Sequence, residues 1–367
     1  MPLDTVAAGR AWTYSHNIGR RATAGMGFNW PIAMAVGKDG VMFVANRTPH
    51  ISKFTIDQEF IHEFGRTGEF EFLSGLALDK DQNLYASDEW KNQITVFDND
   101  GNVLRTWGEE GDEPGQLNGS TGLTFDADDN LWVVNGLNSR IQKFSKDGEY
   151  ISGFGVKGDG PGELDMPWGI TLDNNGDVYV ADWNNHRVQK FSPDGGHLLT
   201  FGSGRTTGVA NDGSTPYMHA LVHDIGVPPN DLNHPADVAV DSEGYICVAD
   251  WGNERVQLLG SDGAFADVKR GQATLSSWTE EFFESNPDER DTRAIADVLD
   301  GYPHLYTAEM MPITVDHLVD PANLDRAYEV VATQRSPEKL RCSAWAICPM
   351  SRSITDVRRT KKSARSG

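Results

Sequence analysis

Apolar and polar positions alternate along this chain in short runs, and the runs recur in phase. Five segments align on one template: PIAMAVGKDGVMFVANRTPHISKF from Pro31, LSGLALDKDQNLYASDEWKNQITVF from Leu73, STGLTFDADDNLWVVNGLNSRIQKF from Ser120, PWGITLDNNGDVYVADWNNHRVQKF from Pro167 and PADVAVDSEGYICVADWGNERVQLL from Pro235. In the fourth copy a short apolar run, Gly169–Leu172, meets an Asp-Asn-Asn-Gly turn at Asp173–Gly176. An alternating run follows at Asp177–Ala181, then a loop, then a third run at Arg187–Phe191. Ser-Pro-Asp-Gly then leads into a fourth run, His197–Gly202. Asp/Asn-Gly turns between β-branched and aromatic runs are hairpin signals. The pattern predicts four antiparallel strands per unit, repeated radially, which is an all-β propeller. A single unit cannot bury both faces of its sheet, so neighbours must stack to form the core.

The expected blades lie near residues 28–72, 73–117, 118–166, 167–234 and 235–268. Tyr14–Arg20 reads as an outer strand whose own blade is missing, so it is expected to close the last blade from the N-terminal side. The rest of that blade should come from the C-terminal region, which carries no repeat phrase. Residues 276–299 show apolar positions at helical spacing and predict a helical insertion after the fifth blade. The propeller is thus expected over 11–305, and 306–367 as a divergent or disordered basic region. A truncated or frame-shifted last blade is favoured slightly over a divergent one.

Composition agrees with short strands and tight turns: 38 of 367 residues are glycine and ten are tryptophan. The net charge of −22 is unevenly spread. Residues 335–367 hold nine basic and two acidic side chains, a net +7, which leaves −29 on the first 334 residues. A body this acidic argues against nucleic-acid binding. No apolar run reaches the length of a membrane helix. The three cysteines, Cys247, Cys342 and Cys348, make no disulfide framework. No signal peptide is visible, so a cytoplasmic location is expected.

The phrase Asn185-His186-Arg187-Val188-Gln189-Lys190-Phe191 after Val180-Ala181-Asp182, repeated as Arg140–Phe144 and Arg255–Gln257, resembles the NHL-repeat family. So does the Gly-Pro-Gly-Glu-Leu linker within Gly155–Pro167. The resemblance covers about residues 28–265 and implies a six-bladed propeller, its last blade divergent or incomplete.

In such a fold the loop between the second and third strands and the blade-to-blade loop open on one face, around the mouth of the central channel. Equivalent positions there form rings. Asn46, Asp88, Asn135, Asp182 and Asp250 make a uniform ring, suited to accepting loop N–H groups. The next ring is diverse: Arg47, Glu89, Gly136, Trp183 and Trp251. The innermost strands start with Ile32, Ser74, Thr121, Trp168 and Ala236. The candidate site is therefore Arg47 and Glu89 walled by Trp168, Trp183 and Trp251, for a small molecule or peptide. The alternative is rim packing with an Arg47–Glu89 pair. His219 and His223, spaced H-x3-H in the insertion 205–233, and His234 are weaker candidates for a metal; the insertion itself is a candidate lid.

Two enzyme classes share the architecture. Resemblance to the peptidyl-hydroxyglycine amidating lyases places one family arginine on Arg47. The three zinc-histidine positions fall on Asn92, Trp168 and Ala236, the tyrosine near Leu137 and the second arginine on Trp183, so that lyase activity is not expected. Gluconolactonase-like propellers hold a divalent cation with carboxylates and amides, and the Asx ring has suitable chemistry for Ca²⁺. The leading expectation is ligand binding at the mouth. The alternatives are a lyase or hydrolase using Ca²⁺ or Zn²⁺ there, and a protein-interaction scaffold; the catalytic residues of such an enzyme are not readable.

Overall fold

The computed structural model describes residues 4–7, 10–13, 25, 27–29, 31–47, 49–65, 68–202, 231–253 and 255–269, with isolated positions at 281 and 284–287. Its N-terminal strands β1 (Asp4–Ala7) and β2 (Arg10–Thr13) pair antiparallel with each other. The expected strand at Tyr14–Arg20 and the region 306–367 lie outside the described residues, as does the insertion 203–230. So does the expected helix 276–299, apart from the isolated positions.

Five four-stranded sheets follow, each in simple meander order. The first holds β3 (Pro31–Val36), β4 (Val41–Asn46), β5 (His50–Thr55) and β6 (Phe60–Phe64). The second holds β7 (Leu73–Leu78), β8 (Leu84–Asp88), β9 (Gln93–Phe97) and β10 (Val103–Trp107). The third holds β11 (Ser120–Phe125), β12 (Leu131–Asn135), β13 (Arg140–Phe144) and β14 (Tyr150–Phe154). The fourth holds β15 (Ile170–Leu172), β16 (Val178–Asp182), β17 (Arg187–Phe191) and β18 (His197–Phe201). The fifth holds β19 (Pro235–Val240), β20 (Ile246–Asp250), β21 (Arg255–Leu259) and β22 (Phe265–Lys269).

The hairpin turns follow from local chemistry. Asp79, Asp126, Asp173 and Asp241 each accept the N–H four residues on, at 2.8–3.0 Å, through Oδ1. These Asx turns close the first hairpin of blades two to five.

Strand alternation then sends successive side chains to opposite neighbours. In β8, Leu84 and Ala86 pack toward blade one with Phe43, Ile51 and Leu73, while Tyr85 packs toward blade three with Leu123, Val133 and Phe144. The same division recurs between blades three and four, around Trp132, Val178 and Phe191, and between blades four and five, around Tyr179, Phe201 and Val248. Blade one's other face (Met42, Val44, Phe54) and blade five's other face (Cys247, Val256, Leu258) are also apolar and buried.

Around the axis the inner strands approach too closely for side chains at one position. A Cβ on Gly75 would sit 2.2 Å from the Thr121 carbonyl oxygen, and one on Gly122 would sit 2.6 Å from the Trp168 carbonyl oxygen. Gly169 occupies the same step, and there the Asp237 carboxylate fills the space a Cβ would need. Hydroxyls bridge the gap: Ser74 Oγ donates to the Ser120 carbonyl at 2.9 Å and Thr121 Oγ1 to the Trp168 carbonyl at 2.9 Å.

Candidate functional site

The Asx ring has one structural task in every blade. Its Oδ1, or Oδ2 in Asp88, accepts the backbone N–H seventeen residues upstream, which belongs to the incoming blade-to-blade loop. The pairs are Asn46 with Asn29 (2.9 Å), Asp88 with Glu71 (2.6 Å), Asn135 with Asn118 (2.7 Å), Asp182 with Asp165 (2.8 Å) and Asp250 with Asn233 (2.7 Å).

The Arg-x-Gln phrase completes the corner. Asp182 Oδ2 accepts from Asn185 Nδ2, Arg187 Nε and Gln189 Nε2 at 2.9, 2.8 and 3.1 Å. Asp250 Oδ2 repeats this with Asn253, Arg255 and Gln257. The guanidinium of Arg187 also donates to the carbonyls of Asp159, Gly160 and Glu163. Burial pushes both carboxyls above the ordinary aspartate range, against the pull of these donors. Carboxylates so engaged hold the loop. Among the described residues, no group of three His, Cys, Asp or Glu side chains is placed to hold a metal ion.

The diverse rings meet at the mouth. Ile32, Phe72, Trp168, Trp183 and Ala236 form one buried apolar cluster, with Trp90, Met166 and Trp251 packed against it. Trp183 lies 5.3 Å from Trp168 and 4.9 Å from Trp251 between ring centroids. Phe72 stacks on Trp90 at 5.3 Å. Arg47 stands over the Phe72 ring, its guanidinium carbon 5.8 Å from the centroid. Glu89 is buried to 1% exposure, and its N–H donates to the Phe72 carbonyl at 2.9 Å.

The structure thus brings Trp168, Trp183 and Trp251 together and places Arg47 on the same cluster through Phe72. The tryptophans pack on one another; Trp168 is 4% exposed and Trp183 is 8% exposed. Phe72, Trp90 and Met166 were not foreseen. Phe72 and Met166 both precede an inner strand, where Gly119 and His234 occupy the equivalent positions of blades three and five.

His219 and His223 lie outside the described residues. His234 sits against Trp183 (5.1 Å), Trp251 (6.1 Å) and His186 (4.2 Å). Its backbone N–H donates to His186 Nδ1 at 3.0 Å, so that nitrogen carries no proton. In blade two, Asn92 Oδ1 accepts from Gly119 N–H at 2.7 Å at the same step. His186 therefore stands in for an amide, and Asn92 and His186 share the left-handed backbone, φ 56° and 53°. Desolvation lowers the His186 pKa and lowers that of His234 to about 3, with the neighbouring His186 adding to the latter.

Sheets in meander order stacked face to face, with inner strands crowded about an axis, define a β-propeller. The repeats name its kind: the NHL repeat model matches residues 164–191 and 232–257, so the fourth and fifth blades carry NHL repeats. No curated protein matches it in sequence. Among solved structures, it is similar to a catalytically inactive virginiamycin B lyase from Staphylococcus aureus with quinupristin, at 13% identity over 72% of this chain and 74% of that one, TM-score 0.48. It is also similar to a gluconolactonase from Xanthomonas campestris, at 16% identity over 66% and 77%, TM-score 0.47. A chain of a nidogen/laminin complex matches at 16% identity over 71% and 84%, TM-score 0.49. None of these likenesses carries a functional argument.

Proposed function

We propose that this propeller binds an apolar small molecule or peptide at the channel mouth. The observation that carries the reading is the aromatic cluster itself. Blades one, two, four and five all contribute to it, at positions where a purely structural role needs no such diversity. Apolar walls with a few polar groups are what ligand sites share. Arg47, on the Phe72 ring, supplies the cation at its edge. A thermal-shift screen of metabolites and short peptides, run with and without Ca²⁺ and Zn²⁺, tests this. Stabilisation that is lost in Arg47→Ala or Trp183→Ala supports the mouth site. Stabilisation that survives both overturns it.

A protein partner on the rim is a second reading, supported by a separate observation. Ile61, Leu104, Ile151 and Leu198 are exposed at the second position of four outer strands. A pull-down that is insensitive to Trp183→Ala but lost on charging two of these residues favours it.

We also propose a six-bladed ring. Its support is the pair of buried apolar faces on blades one and five that no described blade covers. Removing residues 270–367 should bare them and give strong dye binding by the truncated chain. A truncated chain that stays monomeric without binding dye would argue for five blades.

A further inference from the structure

The ligand class is written in one unmet hydrogen bond. Trp168 has its backbone fully engaged: its N–H donates to the Ala181 carbonyl at 2.9 Å, and its carbonyl accepts from Thr121 Oγ1 and from Gly122 N–H, both at 2.9 Å. Among the described residues its indole Nε1 has no hydrogen-bond partner, although the side chain is more than nine-tenths buried. Trp107 also has an unmet indole N–H, but on a half-buried outer strand. A buried donor without an acceptor is a standing penalty, and in native proteins such groups call for an explanation.

The apolar neighbours argue against the simplest one, a resident water. Ile32, Phe72, Trp183 and Ala236 share the cluster with Trp168, and a resident water needs two to four polar partners. They favour a neutral group over an ion, because a charge set beside Trp168 would lose hydration that one indole N–H does not repay. What remains is a neutral acceptor carried on an apolar body.

Resting on the mouth-binding reading above, we infer that the site takes an aromatic or alicyclic ligand with a neutral carbonyl oxygen, of the lactone, amide or ketone class, and that this oxygen accepts from Trp168 Nε1. The low exposure of Trp168 means that the acceptor enters by displacing an aromatic neighbour. Trp183, 5.3 Å away between centroids, is the nearest ring recorded on it.

The test uses matched probes on the whole chain: coumarin and its carbonyl-free counterpart chromene, then further aromatic lactones, amides and ketones with their deoxygenated partners. Affinity is read by titration, and the ten tryptophan indole N–H resonances by ¹⁵N-labelled NMR. Trp168→Phe assigns the Trp168 resonance. The carbonyl member of each pair should bind roughly 5- to 100-fold tighter, the range of one buried hydrogen bond. It should move the Trp168 indole proton downfield and perturb that of Trp183, while chromene leaves the former in place. Trp168→Phe should abolish the preference. Should that variant fail to fold, the matched pairs on the wild-type chain still decide. Equal affinity within pairs, with Trp183 perturbed, overturns the carbonyl assignment and leaves the mouth site standing. Indole resonances of the cluster unmoved by every probe overturn both.

Discussion

Asp182→Ala removes the carboxylate that closes the corner of blade four. Four donors lose their acceptor: Asp165 N–H, Asn185 Nδ2, Arg187 Nε and Gln189 Nε2. Removing one partner of a buried ion pair costs about 3–5 kcal/mol. Arg187 keeps three carbonyl acceptors, so its charge is not wholly stranded. That places the loss near the lower end, about 3 kcal/mol. Asp182→Asn separates the two halves of the corner. It keeps an oxygen for Asp165 N–H, as Asn135 does for Asn118, but turns an N–H₂ toward the other three donors. The expected loss is about 1–2 kcal/mol. Thermal unfolding followed by circular dichroism reads both, and in a chain of this size the alanine variant should melt roughly 4 °C below wild type. An alanine variant melting within roughly 1 °C of wild type would refute the reasoning, by showing that the corner contributes little to stability. So would an asparagine variant as unstable as the alanine one.

Acid should weaken the joint between blades four and five. His234 has a folded pKa of about 3 against an ordinary 6.5. Its stabilising contribution is complete above pH 6.5 and is lost as the pH falls toward 3, because the unfolded chain takes up the proton first. Linkage puts the loss from this group at about 2 kcal/mol between pH 7 and pH 5; His234→Asn should flatten that part of a urea-melt series, and an unchanged slope would count against it. Gly75→Ala should lower stability by about 1–3 kcal/mol through the overlap with the Thr121 carbonyl, read by the same melts. At Gly176 the added Cβ meets nothing nearer than 3.6 Å, and the cost should be only the positive-φ strain, about 1 kcal/mol. Leu104→Glu with Ile151→Glu on the exposed outer strands should leave the melting point almost unchanged, within about 0.5 kcal/mol per site. A large destabilisation there would show that these side chains pack in solution.

Much of the fold was legible because the repeats solve the same local problem with matching residues, most closely in blades four and five. Asp173 turns its hairpin, Asp182 ties down the incoming loop and Arg187 caps that loop's carbonyls, so reading one copy reads the others. The uniform Asx ring could be assigned to structure for the same reason. The central glycines were visible as residues but not as a contact, since the carbonyl that excludes a Cβ at Gly75 comes from the next blade. The mouth was legible in part. Trp168, Trp183 and Trp251 fall on rings that repeat spacing reveals. Phe72 and Met166 occupy the step before the inner strand, where the chain is still a loop and strand alternation gives no signal. His186 stands in the repeat phrase, but its task was hidden: the backbone N–H that its ring nitrogen accepts belongs to His234, at the entry to the next blade, where Asn92 accepts from Gly119 in blade two. The hairpin of β1 and β2 carries no repeat phrase and was not anticipated.

The account rests most heavily on the mouth cluster as a binding site, and ligand-induced stabilisation tests it most directly. A ligand held at a hundred times its Kd should raise stability by about 2.7 kcal/mol. At least one apolar carbonyl compound in the screen should give such a shift on the wild-type chain, and Trp183→Ala should abolish it. A shift of equal size in wild type and Trp183→Ala would contradict the claim.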